Sequence, residues 1–196
     1  MVFDCVILVI ASRNRIYDQL INVYWSKLIR YVKKHYSDSI KIYLLFGKTN
    51  IKGLQIDPSD TIVCPCRETY IPGILKKTVY GLDVIHKKHE YKYMLRTNLS
   101  SFFILDNLIK LYKTLPEKEV YGGVVYGNKK QTFVSGAAFW LSRDNVEYII
   151  QNHMKLDKSI IDDVAIGILM NKKKKIHIPN RFDICHSRIR KHSNTV

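Results

Sequence analysis

The sequence is poor in residues that would cross-link the chain or anchor it in a membrane. Its 196 residues include four cysteines, too few for a disulfide scaffold, and the Cys64-Pro65-Cys66 spacing differs from that of a zinc knuckle. The longest apolar run, Cys5–Ala11, is far shorter than the roughly 20 residues that span a bilayer. Asp4 stands where a signal peptide would carry positive charge. We therefore expect reduced thiols, no transmembrane segment and a cytosol-like compartment.

Acidic residues are scarce relative to basic ones. Lysine and arginine total 32 and aspartate and glutamate total 17, which gives a formal net charge of +15 with neutral histidines. Such an excess indicates polyanionic partners, namely nucleic acids, anionic membranes or phosphorylated small molecules. The sequence has no helix-turn-helix signature, no aromatic ribonucleoprotein motif and no Cys/His finger. Nucleic acid is therefore not the expected partner, and each basic cluster is otherwise typical of a solvated surface.

Apolar runs alternate with amphipathic helical segments along the chain. The predicted strands are Asp4–Ala11, Ile40–Phe46, Thr61–Cys64, Tyr93–Arg96, Val120–Tyr126, Phe133–Leu141 and Lys175–Ile178. The predicted helices are Tyr17–His35, Ile74–Lys87, Leu105–Leu115, Ser142–Gln151 and Asp162–Met170. This alternation predicts an α/β fold with a mixed, mostly parallel central sheet flanked by helices. No repeat or linker divides residues 1–196, so we expect one domain whose ligands bind at the carboxyl ends of the strands.

Five groups of short segments occur in an order that is informative only when they are taken together. They are Asp60-Thr61-Ile62-Val63; Glu68-Thr69-Tyr70 with Leu75-Lys76-Lys77-Thr78 and Gly81-Leu82; Tyr93-Met94-Leu95-Arg96-Thr97 with Phe102 and Asp106-Asn107-Leu108; Ser135-Gly136-Ala137-Ala138-Phe139-Trp140-Leu141-Ser142-Arg143-Asp144; and Ile161-Asp162-Asp163-Val164-Ala165-Ile166-Gly167. In this order the chain resembles the beta-1,3-galactosyltransferase and Fringe family of glycosyltransferases. The resemblance implies the Rossmann-like, A-type glycosyltransferase fold. It also implies inverting transfer of a sugar from a nucleotide-diphosphate donor, with a UDP-sugar expected, to a glycan or protein-linked acceptor.

One departure from the family concerns its metal-binding Asp-any-Asp motif. This chain has Asn98-Leu99-Ser100 at that place, and neutral amide and hydroxyl oxygens bind Mn²⁺ or Mg²⁺ far more weakly than carboxylates do. Two alternatives stay open. Ser100 and His186 are candidate ligands for such an ion, or the site is metal-independent and its arginines and lysines neutralise the diphosphate.

The resemblance also assigns the catalytic carboxylates. Asp163 matches the family's Asp before Val and is the candidate general base, which would take the proton of the acceptor hydroxyl. Asp162 is its neighbour and the second candidate. The alternative is that both carboxylates only cap the helix that begins there.

The remaining candidate residues divide between donor and acceptor. The resemblance places a nucleotide-binding half at about 1–105 and an acceptor half at about 106–191. Candidates for the nucleotide sugar are Ser12, Arg13, Lys77, Arg96, Asn98, Ser100, His186 and Arg188. Candidates for the acceptor are Gly136, Ala137 and Trp140. Three of these have plain structural alternatives: a solvated helix lysine for Lys77, an ion pair with an acid such as Asp83 for Arg96, and a buried core aromatic for Trp140.

Two other functions remain as alternatives. A glycosyltransferase-like module without its metal site would bind a nucleotide or glycan and not turn it over. A basic protein that binds nucleic acid by charge alone would lose its affinity steeply with salt. Since the family's Golgi members are membrane-anchored and this sequence shows no anchor, we expect a viral or bacterial protein of the cytoplasm, the host cytoplasm if viral.

Overall fold

The computed structural model describes residues 2–127, 132–177 and 182–184. The strands are Val2–Ile10 (β1), Ile40–Phe46 (β2), Thr61–Val63 (β3), Glu90–Asn98 (β4), Ser101–Phe103 (β5), Tyr121–Gly127 (β6), Thr132–Ser142 (β7), Ile176–His177 (β8) and Phe182–Ile184 (β9). The α-helices are Arg15–Leu20 (α1), Ser26–His35 (α2), Gly73–Lys88 (α3), Leu105–Tyr112 (α4), Arg143–Gln151 (α5) and Asp162–Leu169 (α6). Short 3₁₀ turns lie at Pro58–Asp60 and His153–Lys155. Within these ranges no helix is both long and apolar enough to traverse a bilayer.

Seven strands form one sheet in the order β3-β2-β1-β4-β7-β6-β8. The pairs β1–β2, β1–β4, β2–β3 and β6–β8 are parallel, whereas β7 runs antiparallel to both β4 and β6. The prediction of a mixed, mostly parallel sheet flanked by helices is confirmed. Because β1 and β4 are neighbours at the centre, their carboxyl ends meet at one edge of the sheet.

The apolar run of β1 is explained by its position between two parallel strands with helices on both faces. Val6, Leu8 and Ile10 belong to a core that α3, α5 and α6 cover. The alternating residues Ile7 and Val9 belong to the opposite core, with side chains from α2 and α4. Each fully buried aliphatic side chain contributes about 1.5–3 kcal/mol, so both faces of the sheet stabilise the central strands that support the ligand edge.

The predicted helix Tyr17–His35 is continuous but contains a π-helical turn at Ile21–Trp25, between α1 and α2. Trp25 is fully buried, and its indole Nε1 donates to the carbonyl of Leu99 at 3.0 Å. This bond fixes the backbone directly between Asn98 and Ser100. The turn therefore ties the first helical segment to the loop that follows β4.

The structure extends or adds several strands relative to the sequence prediction. The segment predicted as Tyr93–Arg96 is Glu90–Asn98, because its pairing with β1 runs from Val2 to Ile10. The strands β5 and β9 were not predicted; they form a separate antiparallel pair in which Ser101 lies opposite Ile184. This pair continues directly from the loop after β4.

The packing of α6 on β7 gives a test of the fold. A Cβ atom added at Gly167 would lie 2.9 Å from the backbone Cα of Phe133, so we expect Gly167→Ala to destabilise the chain by about 1–3 kcal/mol, despite the higher helix propensity of alanine. The measurement is urea unfolding. The control is Ile168→Ala, since Ile168 is 45% exposed in the same helix, and it should change stability by about 0.5 kcal/mol or less. Equal stability of the two variants would contradict the close contact.

Candidate functional site

A polar cleft of about 450 Å³ opens at the carboxyl ends of β1 and β4. Five of the predicted nucleotide-sugar residues line it: Ser12, Arg13, Lys77, Asn98 and Ser100. The cleft is further lined by Ile10, Tyr17, Glu68, Thr69, Tyr70, Ile74 and Leu99. The residues at the strand ends therefore meet at one site, and its volume is in the range of small-molecule pockets.

Lys77 reaches the cleft from α3 and is not the solvated helix lysine of the alternative interpretation. Its side chain is 2% exposed, and its ammonium donates to the Ala11 carbonyl at 2.8 Å and to Glu68 Oε2 at 2.7 Å. Glu68 also accepts from the backbone N–H of Gly47. An ammonium has three N–H donors, so one of them is not used by these two bonds.

Arg13 enters the cleft from the turn after β1, and it is also paired with a carboxylate. Its Nε and Nη2 donate to the two oxygens of Asp18 at 2.7 and 3.0 Å. Its Nη1 donates to the carbonyl of Asn50. Both cations that line the cleft are thus partly neutralised by carboxylates, and the expected surplus of unpaired positive charge is not found among the described residues that line it.

Arg96 is not among the residues that line the cleft, and its direct contact with the donor stays a prediction. The side chain is buried, and Nη2 donates to Asp162 Oδ2 at 2.6 Å. Asp83, the partner considered from the sequence, pairs with Lys87 instead. Thr78 donates its hydroxyl to the same Asp162 oxygen at 2.8 Å. A buried charge needs a partner, and this contact joins β4, α3 and α6.

Asp162 is therefore unsuited to the role of a catalytic or acceptor-binding carboxylate. It is 1% exposed, and one of its oxygens already accepts from Arg96 and Thr78. The carboxylate holds Arg96 in place and is a positioning residue. The adjacent Lys77 and Thr78 of α3 point to different partners, Lys77 to the cleft and Thr78 to Asp162.

Asp163 has a different environment from Asp162. It is half-buried, and Oδ2 accepts from the backbone N–H of Gly136 at 2.7 Å, while Oδ1 accepts from that of Val164 at 2.9 Å. Desolvation raises the pKa of Asp163 above its ordinary value, and the N–H of Gly136 opposes this shift; the charge of Asp162 also raises it, and Arg96 lowers it. A half-buried carboxylate with a raised pKa is a suitable proton acceptor at neutral pH.

The backbone of Gly136 links Asp163 to Arg96 by hydrogen bonds, and Arg96 in turn contacts Asn98 in the cleft. The Gly136 carbonyl accepts from Arg96 Nη1, which also donates to Asn98 Oδ1 at 2.9 Å. A Cβ at Gly136 would lie 3.0 Å from Asp163 Oδ2 and 3.1 Å from Arg96 Nη1. A side chain at this position would therefore require Asp163 or Arg96 to shift by a few tenths of an ångström. Gly136 is buried, and its role toward an acceptor sugar stays a prediction.

The two other predicted acceptor residues lie further along β7. Trp140 is fully buried and contacts Tyr93 and Tyr112, which is the environment of the core aromatic considered as its alternative. Ala137 is half-buried, and its carbonyl accepts from the hydroxyls of Thr97 and Ser101 at 2.8 Å. Its role toward an acceptor stays a prediction.

The residues at the place of the Asp-any-Asp motif do not fit a divalent metal ion. Asn98 Oδ1 accepts from the cationic Arg96, Ser100 offers a neutral hydroxyl, and Glu68, the one carboxylate that lines the cleft, pairs with Lys77. Among the described residues no three histidines, cysteines or carboxylates form a group that could hold a metal. Manganese and magnesium prefer several carboxylate oxygens, so this donor set is too weak and too cationic.

Two predicted site residues lie outside the described residues, and two residues that contact the site were not predicted. His186 and Arg188 lie outside the described residues. The predictions missed Glu68 and Thr78 as functional partners, although both belong to segments that carry the family resemblance. No local pattern marked them, since each depends on a partner from a distant element.

Comparisons with known proteins give a distant structural likeness. The sequence matches no family model and no curated protein. The glycosyltransferase GlyE of Streptococcus pneumoniae TIGR4 is similar in structure, with a TM-score of 0.48 and 11% sequence identity. The similar region covers 90% of this chain and 45% of the GlyE chain, so the chain spans less than half the length of this neighbour.

The buried Arg96–Asp162 pair gives a test of the site. We expect Arg96→Met to destabilise the chain by about 3–5 kcal/mol, because it leaves the Asp162 carboxylate buried without its cation. The double variant Arg96→Met/Asp162→Asn should recover much of this loss, since a neutral amide is less costly to bury. Urea unfolding measures both effects.

The matched control is Lys87→Met, which breaks the exposed pair with Asp83 and should cost about 1 kcal/mol or less. An Arg96→Met variant as stable as this control, or a double variant less stable than either single one, would contradict the assigned role of the pair.

Proposed function

We propose that this chain is a glycosyltransferase that transfers a sugar from a nucleotide-diphosphate donor, with a UDP-sugar as the expected donor, to a glycan or protein-linked acceptor. A single arrangement carries the proposal: the polar cleft is joined through Asn98, Arg96 and Gly136 to the half-buried carboxylate of Asp163. Donor pocket and proton acceptor are thus parts of one hydrogen-bonded assembly.

The cleft is the proposed donor site. Its location at the carboxyl ends of β1 and β4 is where open α/β sheets bind nucleotides. Ser12, Asn98 and Ser100 offer neutral hydrogen-bonding groups, and Tyr17 and Tyr70 add aromatic surface for a base or sugar. These residues agree with the Rossmann-like, A-type fold that the sequence resemblance implies.

The departing diphosphate needs positive charge or hydrogen-bond donors. Lys77 is the best-placed group, because Ala11 and Glu68 fix its position and leave one N–H for a phosphate oxygen. Arg13 is similarly fixed by Asp18. Since the cleft residues do not fit a metal ion, we propose that these two cations act without one.

The transfer step assigns one bond change to each group. The acceptor hydroxyl oxygen attacks the anomeric carbon and forms the new glycosidic bond, while the bond from that carbon to the diphosphate oxygen breaks. The hydroxyl proton passes to Asp163, and the electron pair of the broken bond leaves with the diphosphate beside Lys77. One displacement of this kind inverts the anomeric configuration.

A second candidate function is a nucleotide-binding module without turnover. The observation that favours it is the pairing of Lys77 with Glu68 and of Arg13 with Asp18. Each pair reduces the positive potential that a developing diphosphate would meet. Such a site would bind UDP through its neutral groups and release nothing from a UDP-sugar.

The transferase proposal is tested with Asp163→Asn and a panel of UDP-sugars. We expect UDP release to fall by about 10²–10⁴-fold, because the general base is lost. UDP binding by calorimetry, with and without Mn²⁺, should be nearly unchanged, because Asp163 does not line the cleft. In the unmodified chain the rate should rise with pH as Asp163 loses its proton, with an inflection above the ordinary carboxyl pKa of 3.8.

The control is Asp106→Asn, since Asp106 is an exposed aspartate in the first turn of α4, and it should keep full UDP release. Release that persists in Asp163→Asn would exclude the assigned base. UDP binding with no release from any donor would support the second candidate instead. Absence of UDP binding would exclude both.

A further inference from the structure

Another cavity, with basic side chains around a largely apolar floor, lies at the opposite edge of the sheet, at the amino ends of β1, β2 and β4. It has a volume of about 340 Å³, and four basic side chains line it: Lys33, Lys41, Lys88 and His89. Phe3, Ser37, Ile40, Tyr43 and Ser59 complete the lining. Phe3 and Ile10 are seven residues apart along β1, which separates the two edges by about 23 Å at the usual rise of a strand. The cavity is therefore distinct from the proposed donor cleft.

The lysines around this cavity exceed the carboxylates that pair with them. Lys41 lies 2.8 Å from Asp60, and Lys33 lies 2.7 Å from the same carboxylate and 3.1 Å from Asp57. Lys88 pairs with no carboxylate within the described part of the chain. Three lysines thus face two carboxylates, and one positive charge remains.

Tyr43 contacts three of the four basic side chains that line the cavity. The ammonium of Lys41 lies 5.1 Å and that of Lys88 5.4 Å from the centroid of its ring. The ring of His89 stacks on the same ring at 5.8 Å, and its Nε2 shares a hydrogen bond of 2.7 Å with the Tyr43 hydroxyl. Two ammonium groups and an imidazole therefore converge on one aromatic side chain.

The direction in which nearby charges shift the pKa of His89 indicates a positive electrostatic potential at this cavity. Burial lowers the pKa of His89, and the nearby charges of Lys88 and Lys41 lower it further. Phe3 contacts the ring edge-on, and Arg143 and Glu90 meet at the backbone next to it, where Arg143 donates to the His89 carbonyl and pairs with Glu90. The two side-chain charges that shift this imidazole are both cationic, so a bound anion would relieve their repulsion.

We propose that this cavity binds a phosphate group between Lys88, Lys41 and His89. The ligand class is inorganic phosphate or a small phosphomonoester, since the cavity is larger than one phosphate and has aromatic and serine side chains at its wall. Phosphate takes charge-assisted hydrogen bonds from lysine. The hydroxyls of Ser37 and Ser59 are further donors that line the cavity.

The competing explanation is that the lysines serve only the ends of helices. Both α2 and α3 end near this edge with basic residues in their last turns, and cations there interact favourably with the helix dipole. This explanation requires no ligand. It predicts that phosphate acts on His89 no more than any other salt does.

The experiment is an NMR titration of the His89 ring in the full chain, with the signal assigned from a His89→Gln variant. We expect phosphate to raise the pKa of His89 more than chloride does at the same ionic strength, because bound phosphate stabilises the imidazolium. A nucleoside monophosphate provides the second arm: a larger effect than inorganic phosphate identifies a phosphomonoester as the ligand, and a smaller one identifies the free ion.

Lys88→Gln should weaken phosphate binding by about ten-fold, the usual loss for one charge-assisted bond. The matched control is Lys87→Gln, since Lys87 is exposed beside it and pairs with Asp83, and its phosphate affinity should match that of the unmodified chain. Equal effects of phosphate and chloride, or equal affinities of the two lysine variants, would overturn the proposal. UDP release by the donor cleft is independent of either result.

Discussion

The Arg96 guanidinium lies where β4, β7 and α6 meet, and it has almost no contact with water. A charge in such a place is tolerated only when carboxylate and carbonyl oxygens surround it. Asp162, Asn98 and Gly136 supply those oxygens from three different parts of the chain. Through these bonds one side chain connects α6, the end of β4 and the Gly136 backbone, while its Nε has no hydrogen-bond partner among the described residues.

Two adjacent carboxylates consequently have separate tasks. Asp162 accepts hydrogen bonds from Arg96 and Thr78. Asp163 is the half-buried member of the pair, and its pKa is raised. The same principle operates in the cleft, where Glu68 holds Lys77 and Asp18 holds Arg13. A carboxylate partner holds the cation in one position. It also weakens the electrostatic attraction between that cation and a bound anion. In the proposed donor site, binding would therefore depend on the fixed positions of these cations more than on excess positive charge.

Sequence patterns predicted the fold well where a local signal was strong. The apolar run of β1 reflects burial on both faces, and the alternation of strands and helices predicted a mixed, mostly parallel sheet. The donor candidates at strand ends met at one cleft for the same reason. Pairings between distant residues were not visible: neither the β5–β9 pair nor the Arg96–Asp162 contact has a local signature. The sequence left two roles open for Trp140, because residue type alone does not distinguish a buried core aromatic from one that stacks on a sugar.

The β5–β9 pair has a consequence for the order in which the chain assembles. Ser101 stands one residue after the cleft residue Ser100, yet its strand partner is Ile184, which leaves the ribosome long after β1 to β4 are complete. Contacts between such distant positions form late. The parallel strands β1, β2 and β4 can thus begin to pair during synthesis, whereas β5, beside Ser100, can pair only after β9 has been made. Newly made protein would contain all of β1 to β4 before the strand beside Ser100 meets its partner.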